Sequence, residues 1–151
     1  MFFVIVIITK NFFSKAYPDN TILFYWTMGS ISSALIFLSV LAHELAHSFV
    51  AARFGIRTTS IRLHIFGGYH PVAPEPQSGR QEFVIALAGW AVNIALGGFS
   101  LGIYSYFWLT QQVTPVSGIA ACLLIANGLL AVLHMIPGFP LDGGRILRAI
   151  L

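Results

Sequence analysis

The sequence predicts an all-α integral membrane protein, with three membrane-spanning helices in one core and a small β-hairpin after the first of them. Three observations carry that prediction. Charged residues make up only 9% of the 151 residues and hydrophobic ones 57%, whereas a soluble domain carries about 25% charged residues. Mean hydropathy is +0.82. The apolar residues also gather in three runs, each long enough for the roughly 20 residues that a bilayer-crossing helix needs.

The first run extends from Leu23 to Phe54 and is apolar until His43. Pro18-Asp19-Asn20 before it is a turn or cap signal, and Gly55 after it is a good helix stop. The second run extends from Phe83 to Leu109 and the third from Val116 to Ile136, where Pro137 ends it; Thr110 to Pro115 is a short connection. Between the first two lies Ile56 to Glu82. Thr58, Thr59, Ile61, Leu63, Ile65 and Phe66 favour short strands and Gly67-Gly68 favours a turn, while Pro71, Pro74 and Pro76 oppose regular structure. A hairpin followed by a loop is expected there. Met1 to Ile8 is apolar but too short to span, and Leu151 stops within an apolar stretch. Residues 1–22 therefore read as the remnant of a preceding helix and an external loop, residues 23–151 as the membrane core, and the chain as truncated at one or both ends.

Basic residues orient the core. Arg53, Arg57, Arg62, Arg80, Arg145 and Arg148, six of the eight Lys and Arg residues, fall on one side of a three-span topology. The positive-inside rule makes that side cytoplasmic. The pI of about 9.4 is thus a topology signal. Nucleic acid is excluded as a partner, because the aromatic residues lie in apolar runs and form no stacking platform. The lone Cys122 has no internal disulfide partner and reads as a small buried residue. Ends of the first and third spans share the cytoplasmic side, so polar motifs at those ends can meet.

One such motif is His43-Glu44-Leu45-Ala46-His47. Residues four apart share a helical face, so both imidazoles can bind a single zinc ion, with Glu44 adjacent as general base. A carboxylate and two imidazoles are costly near the end of a span, where a central charge costs about 2.5–3.5 kcal/mol on insertion scales, and such groups persist when paired, metal-bound or functional. The other motif is Pro137-Gly138-Phe139-Pro140-Leu141-Asp142-Gly143-Gly144-Arg145. Its prolines and glycines unwind the chain near membrane depth, which is tolerated where the backbone is covered or lines a wet cavity. Asp142 is there as a third metal ligand, completing with water a tetrahedral site, or as the cap of a helix starting near Gly143. The two roles are compatible. Glu75 and Glu82 read as loop residues.

At these residues the chain resembles the site-2 protease family of intramembrane zinc metalloproteases. The resemblance rests on His43-Glu44-Leu45-Ala46-His47, Phe66-Gly67-Gly68, Leu87-Ala88-Gly89, Asn127, and Pro137 through Arg145, in the family's order from about Leu35 to Leu151. It implies a three-helix catalytic core, one zinc ion per chain, and hydrolysis of a peptide bond in or near a transmembrane segment of a membrane-protein substrate, close to the cytosolic side. It further implies that the hairpin, Ile61 to Tyr69 with Phe66, Gly67 and Gly68 at its turn, presents the substrate as an added strand.

Two positions depart from the family pattern. His134 stands where Asn is usual, eight residues before Asp142, and Trp90 stands where Pro is usual after Ala88-Gly89. Three roles are open to His134: hydrogen-bond donor to an oxyanion or site lining, competing metal ligand, or interfacial residue. Asn127 either lines the site or joins helices. Arg145 and Arg148 read as topology anchors. These departures leave one alternative, a catalytically impaired membrane regulator that binds client transmembrane segments. A metal transporter would need polar residues along whole spans, and these spans carry too few.

Overall fold

The structure is a computed structural model, and it describes residues 2–56, 63–64, 67–68, 76, 78–138 and 141–151. Helices dominate. After α1 (Phe2–Ile7), a π-helical turn (Ile8–Phe13) and α2 (Ser14–Ala16) come the long α3 (Ile22–Arg53), then α4 (Gly79–Leu109), α5 (Pro115–His134) and a short α6 (Asp142–Ile150). Helices α3, α4 and α5 are each long and apolar enough to cross a membrane. Large apolar side chains such as Phe37, Phe49, Phe99 and Val132 are exposed on them. In water that surface would be a liability, but against lipid it is the outer wall.

The spans differ from the hydropathy runs at their ends. Helix α4 starts at Gly79, four residues before the apolar run. Ser78 caps it, its hydroxyl accepting from the Gln81 amide at 3.3 Å. A polar first turn is invisible to hydropathy yet helical all the same. Glu82 is therefore a first-turn helix residue and not a loop residue. Helix α5 stops at His134, two residues short of the run, because the chain must leave the α region before Pro137. Gly55 ends α3 as expected. It has φ of 76°, and the amides of Gly55 and Ile56 bond back to Ala52 and Ala51 at 3.0 and 3.1 Å. Ile56 then packs on Ala51 and Ile85, the apolar contact that accompanies this closure.

Between α3 and α4, β1 (Leu63–His64) and β2 (Gly67–Gly68) pair antiparallel, with Leu63 opposite Gly68 and His64 opposite Gly67. Ile61, Arg62, Ile65, Phe66 and Tyr69 lie outside the described residues, so the expected hairpin is described only at those four positions.

The chain divides into two compact units, Met1–Ser39 with Ala95–Gly128, and Val40–Ile94 with Leu129–Leu151. In the first, Phe13, Tyr17 and Cys122 form a core, and the Tyr17 hydroxyl donates to the Thr114 carbonyl at 2.6 Å. In the second, α6 is held at both ends. Gly143 lies so close to the Met135–Ile136 backbone that a Cβ there would stand 2.6 Å from the Met135 carbonyl. At the other end Arg148 forks onto Glu82 in the first turn of α4, with Nε 2.9 and 3.0 Å from the two carboxylate oxygens and Nη2 also bonded. Bidentate pairing of this kind fixes orientation as well as distance.

Candidate metal centre

The second unit gathers the sequence-predicted residues His43, Glu44, His47, His134 and Asp142, all of them buried. His43 and His47 lie one helical turn apart on α3, so their rings face the same way. Asp142 arrives as the first residue of α6. The N-cap of α6 is Leu141, with no side-chain cap bond, and the carboxylate of Asp142 turns to the imidazoles. Asp142 Oδ2 lies 3.2 Å from Nε2 of His43 and 3.2 Å from Nε2 of His47. The two Nε2 atoms are 3.1 Å apart.

These three atoms form a nearly equilateral triangle. Zinc ligands at about 2.0–2.1 Å in a tetrahedron stand roughly 3.3 Å from one another. The triangle therefore fits a tetrahedral ion with one position left open. Its electrostatics point the same way. His47 Nδ1 donates to the Ile85 carbonyl at 2.7 Å, so its Nε2 presents a lone pair. Burial raises the Asp142 carboxyl, but hydrogen bonds from the His43 and His47 rings, and their charge when a ring carries both protons, outweigh it and hold the group below the usual carboxylate range. Asp142 is thus an anion at neutral pH. A single proton can satisfy one edge between such acceptors, whereas a cation satisfies all three corners. Among the described residues His43, His47 and Asp142 are the set whose ligand atoms converge within 4.8 Å.

Two further α4 residues shape the centre. A Cβ on Gly89 would lie 2.6 Å from His47 Cε1 and 2.7 Å from His43 Cε1, and closer still to His47 Nε2. Only hydrogen leaves the rings room. Asn93, 1% exposed, places its amide nitrogen 3.1 Å from His43 Nδ1. Sequence reasoning saw Gly89 within a family motif but not its task, and it missed Asn93 and the Ile85 carbonyl. The spacing of 85, 89 and 93, four apart on one helical face, was the available signal.

His134 packs its ring 4.4 Å from that of His43, centroid to centroid, tilted by 49°. It stands outside the converging set, and its Nδ1 donates to the Leu130 carbonyl at 2.8 Å. Glu44 is buried beside His43 in the chain. Asn127 lies in the other unit, where its amide nitrogen donates to the Leu123 carbonyl at 2.9 Å and to the Ser39 hydroxyl at 3.4 Å. Helix α4 passes through Trp90 unbroken. Gly67 and Gly68 belong to β2, and Phe66 lies outside the described residues.

Residues 31–116 match the profile of peptidase family M50. The chain is 42% identical over 128 residues to a candidate zinc metalloprotease of Synechocystis sp., covering 83% of this chain and 32% of that protein. It is 38% identical over 117 residues to a zinc metalloprotease of Methanocaldococcus jannaschii, covering 78% of this chain and 33% of the relative. Its fold is similar to the solved site-2 protease from Methanocaldococcus jannaschii, with TM-score 0.59 and 27% identity, covering 99% of this chain and 63% of that one. The chain spans about a third of the length of these curated relatives.

Proposed function

This chain belongs to peptidase family M50, the site-2 proteases, and from that premise we propose that it is a zinc metalloendopeptidase of the membrane. It hydrolyses a peptide bond in or near a transmembrane segment of another membrane protein. The observation that carries this reading is the triangle of His43 Nε2, His47 Nε2 and Asp142 Oδ2, with edges of 3.1–3.2 Å, in a unit built from helices long enough to span.

His43, His47 and Asp142 would hold the ion, and a zinc ion bound there would supply the Lewis acidity that activates water and polarises a peptide carbonyl. Glu44 takes the proton from the attacking water and passes it to the leaving amine. His134 lines the site. With Nδ1–H committed to Leu130, its Nε2 accepts when the ring is neutral and would donate to an oxyanion only as the imidazolium. The amide of Asn127 is committed to Leu123 and Ser39, which favours a helix-joining role over an oxyanion one.

A helical substrate must unwind before its peptide bond is accessible. An extended substrate would add as a strand beside the pair Leu63–His64 and Gly67–Gly68, as the family resemblance implies. The cytoplasmic placement of the centre draws support from charge. Arg53, Arg80, Arg145 and Arg148 belong to the unit that holds it, whereas Lys10 and Lys15 belong to the other. The alternative of an impaired regulator finds no support in this geometry, since His134 displaces no member of the ligand set and Trp90 leaves α4 intact.

The test is Glu44→Gln in the reconstituted protein with a transmembrane substrate. Zinc content should stay at the wild-type level while cleavage falls by about 100-fold to 10,000-fold, the range for a lost general base. Cleavage at the wild-type rate would refute the reading.

A further inference from the structure

Each imidazole of the centre must keep its proton on Nδ1 if its Nε2 is to bind an ion. For His47 the neighbour enforces this. Nδ1 lies 2.7 Å from the Ile85 carbonyl oxygen, which can only accept. For His43 the neighbour is the Asn93 amide, whose nitrogen faces Nδ1 at 3.1 Å. Asn93 Oδ1 is buried and has no hydrogen-bond partner among the described residues. In that orientation the amide donates, Nδ1 accepts, and the neutral ring carries its proton on Nε2. That proton points at Asp142 Oδ2, 3.2 Å away, and occupies the lone pair an ion would need.

The two ends of a side-chain amide are nearly equal in size, and a half-turn exchanges donor for acceptor. Turned, Oδ1 accepts from His43 Nδ1–H and Nε2 is bare. The amide can thus serve the ring in both conditions. It donates while Nε2–H bonds to Asp142, and it accepts once an ion replaces that proton. Leu or Ala at position 93 could do neither, and Asp could only accept.

We propose that Asn93 is a positioning residue for the metal centre: its amide turns to accept the Nδ1 proton of His43 and so selects the imidazole form whose Nε2 binds the ion. Helix α4 then serves the centre on three successive turns. Ile85 orients His47 through its carbonyl, Gly89 clears the space between the rings, and Asn93 orients His43. The inference rests on the metal-centre reading above.

The test measures zinc affinity of the full chain in detergent by competition with a chromophoric chelator, beside metal-free melting. Wild type and His47→Ala first establish the centre itself. If wild type binds no zinc, the parent reading fails, and this inference with it. Given a functioning centre, Asn93→Asp should keep zinc affinity within about threefold of wild type or exceed it, because an acceptor-only carboxylate suits the proposed orientation. Asn93→Leu and Asn93→Ala should lose about 10-fold to 100-fold, the usual cost of an outer partner to a metal-bound histidine. Loss of affinity in Asn93→Asp while its melting is retained would overturn the proposal, because the amide would then be working as a donor. Wild-type affinity in a folded Asn93→Leu or Asn93→Ala would overturn it as well. The Asp variant decides the question even if neither apolar variant folds.

Discussion

Replacing Gly89 by Ala is the sharpest perturbation the metal centre offers. Gly→Ala inside a helix ordinarily stabilises by about 0.5–1 kcal/mol, since alanine loses less backbone freedom on folding. Here the added methyl would stand 2.6 Å from His47 Cε1 and 2.7 Å from His43 Cε1. Ordinary contact begins near 3.4 Å, and His47 Nε2 would be nearer than either carbon, so the His47 ring must retreat by more than roughly 0.8 Å. His47 is held by the Ile85 carbonyl and His43 by Asn93, so neither ring can swing away freely. Overpacking of a tight site costs about 1–3 kcal/mol, which cancels or reverses the helix gain. The larger effect falls on metal binding, because ligand positions tolerate only about ±0.2 Å. Zinc affinity should drop by more than the roughly 100-fold that outer partners control. Gly98 is the control. It lies on the same helix and a Cβ there meets nothing within 4 Å, so Gly98→Ala should keep its zinc and melt no lower than wild type. Zinc content after dialysis, chelator competition and melting in detergent read both variants. A Gly89→Ala protein that binds one zinc with wild-type affinity would refute the close approach of α4 to the imidazoles.

Two other outcomes follow from the same geometry. His47→Ala and Asp142→Ala should each lose stoichiometric zinc, while His134→Ala, outside the converging set, should retain it; elemental analysis of purified protein separates the three. Arg148→Ala should lower the melting midpoint through the stranded Glu82 carboxylate. The side chain of Glu82 is 9% exposed and that of Arg148 is 53% exposed, so solvent screening holds the loss to about 1 kcal/mol, and Arg145 at 3.9 Å offsets part of it. Glu82→Gln, with no stranded charge, should cost less, and a larger loss in Glu82→Gln would contradict the pairing.

The parts legible in the sequence were the local ones. Three apolar runs announce three spans because a bilayer imposes length and apolarity on each helix separately. His43 and His47 share a face because a helix repeats every 3.6 residues. Gly55 stops α3 because it tolerates positive φ where other residues are strained. The start of α4 was misplaced by four residues because hydropathy registers the membrane and not the helix. Glu82 was misassigned for the same reason: its polarity suggests a loop until its partner on α6 is known.

What the sequence by itself determined, then, is a membrane protein carrying two imidazoles and a carboxylate suited to one metal ion. Helical periodicity and transfer energy act over a few residues at a time, and both are written locally. Tertiary structure decided that Asp142, 95 residues beyond His47, turns its carboxylate to the histidines instead of capping α6. It also decided that Gly89 must lack a side chain, and that Ile85 and Asn93 govern where the imidazole protons reside. Those outcomes depend on distances between backbones far apart in the chain, which no short-range pattern encodes.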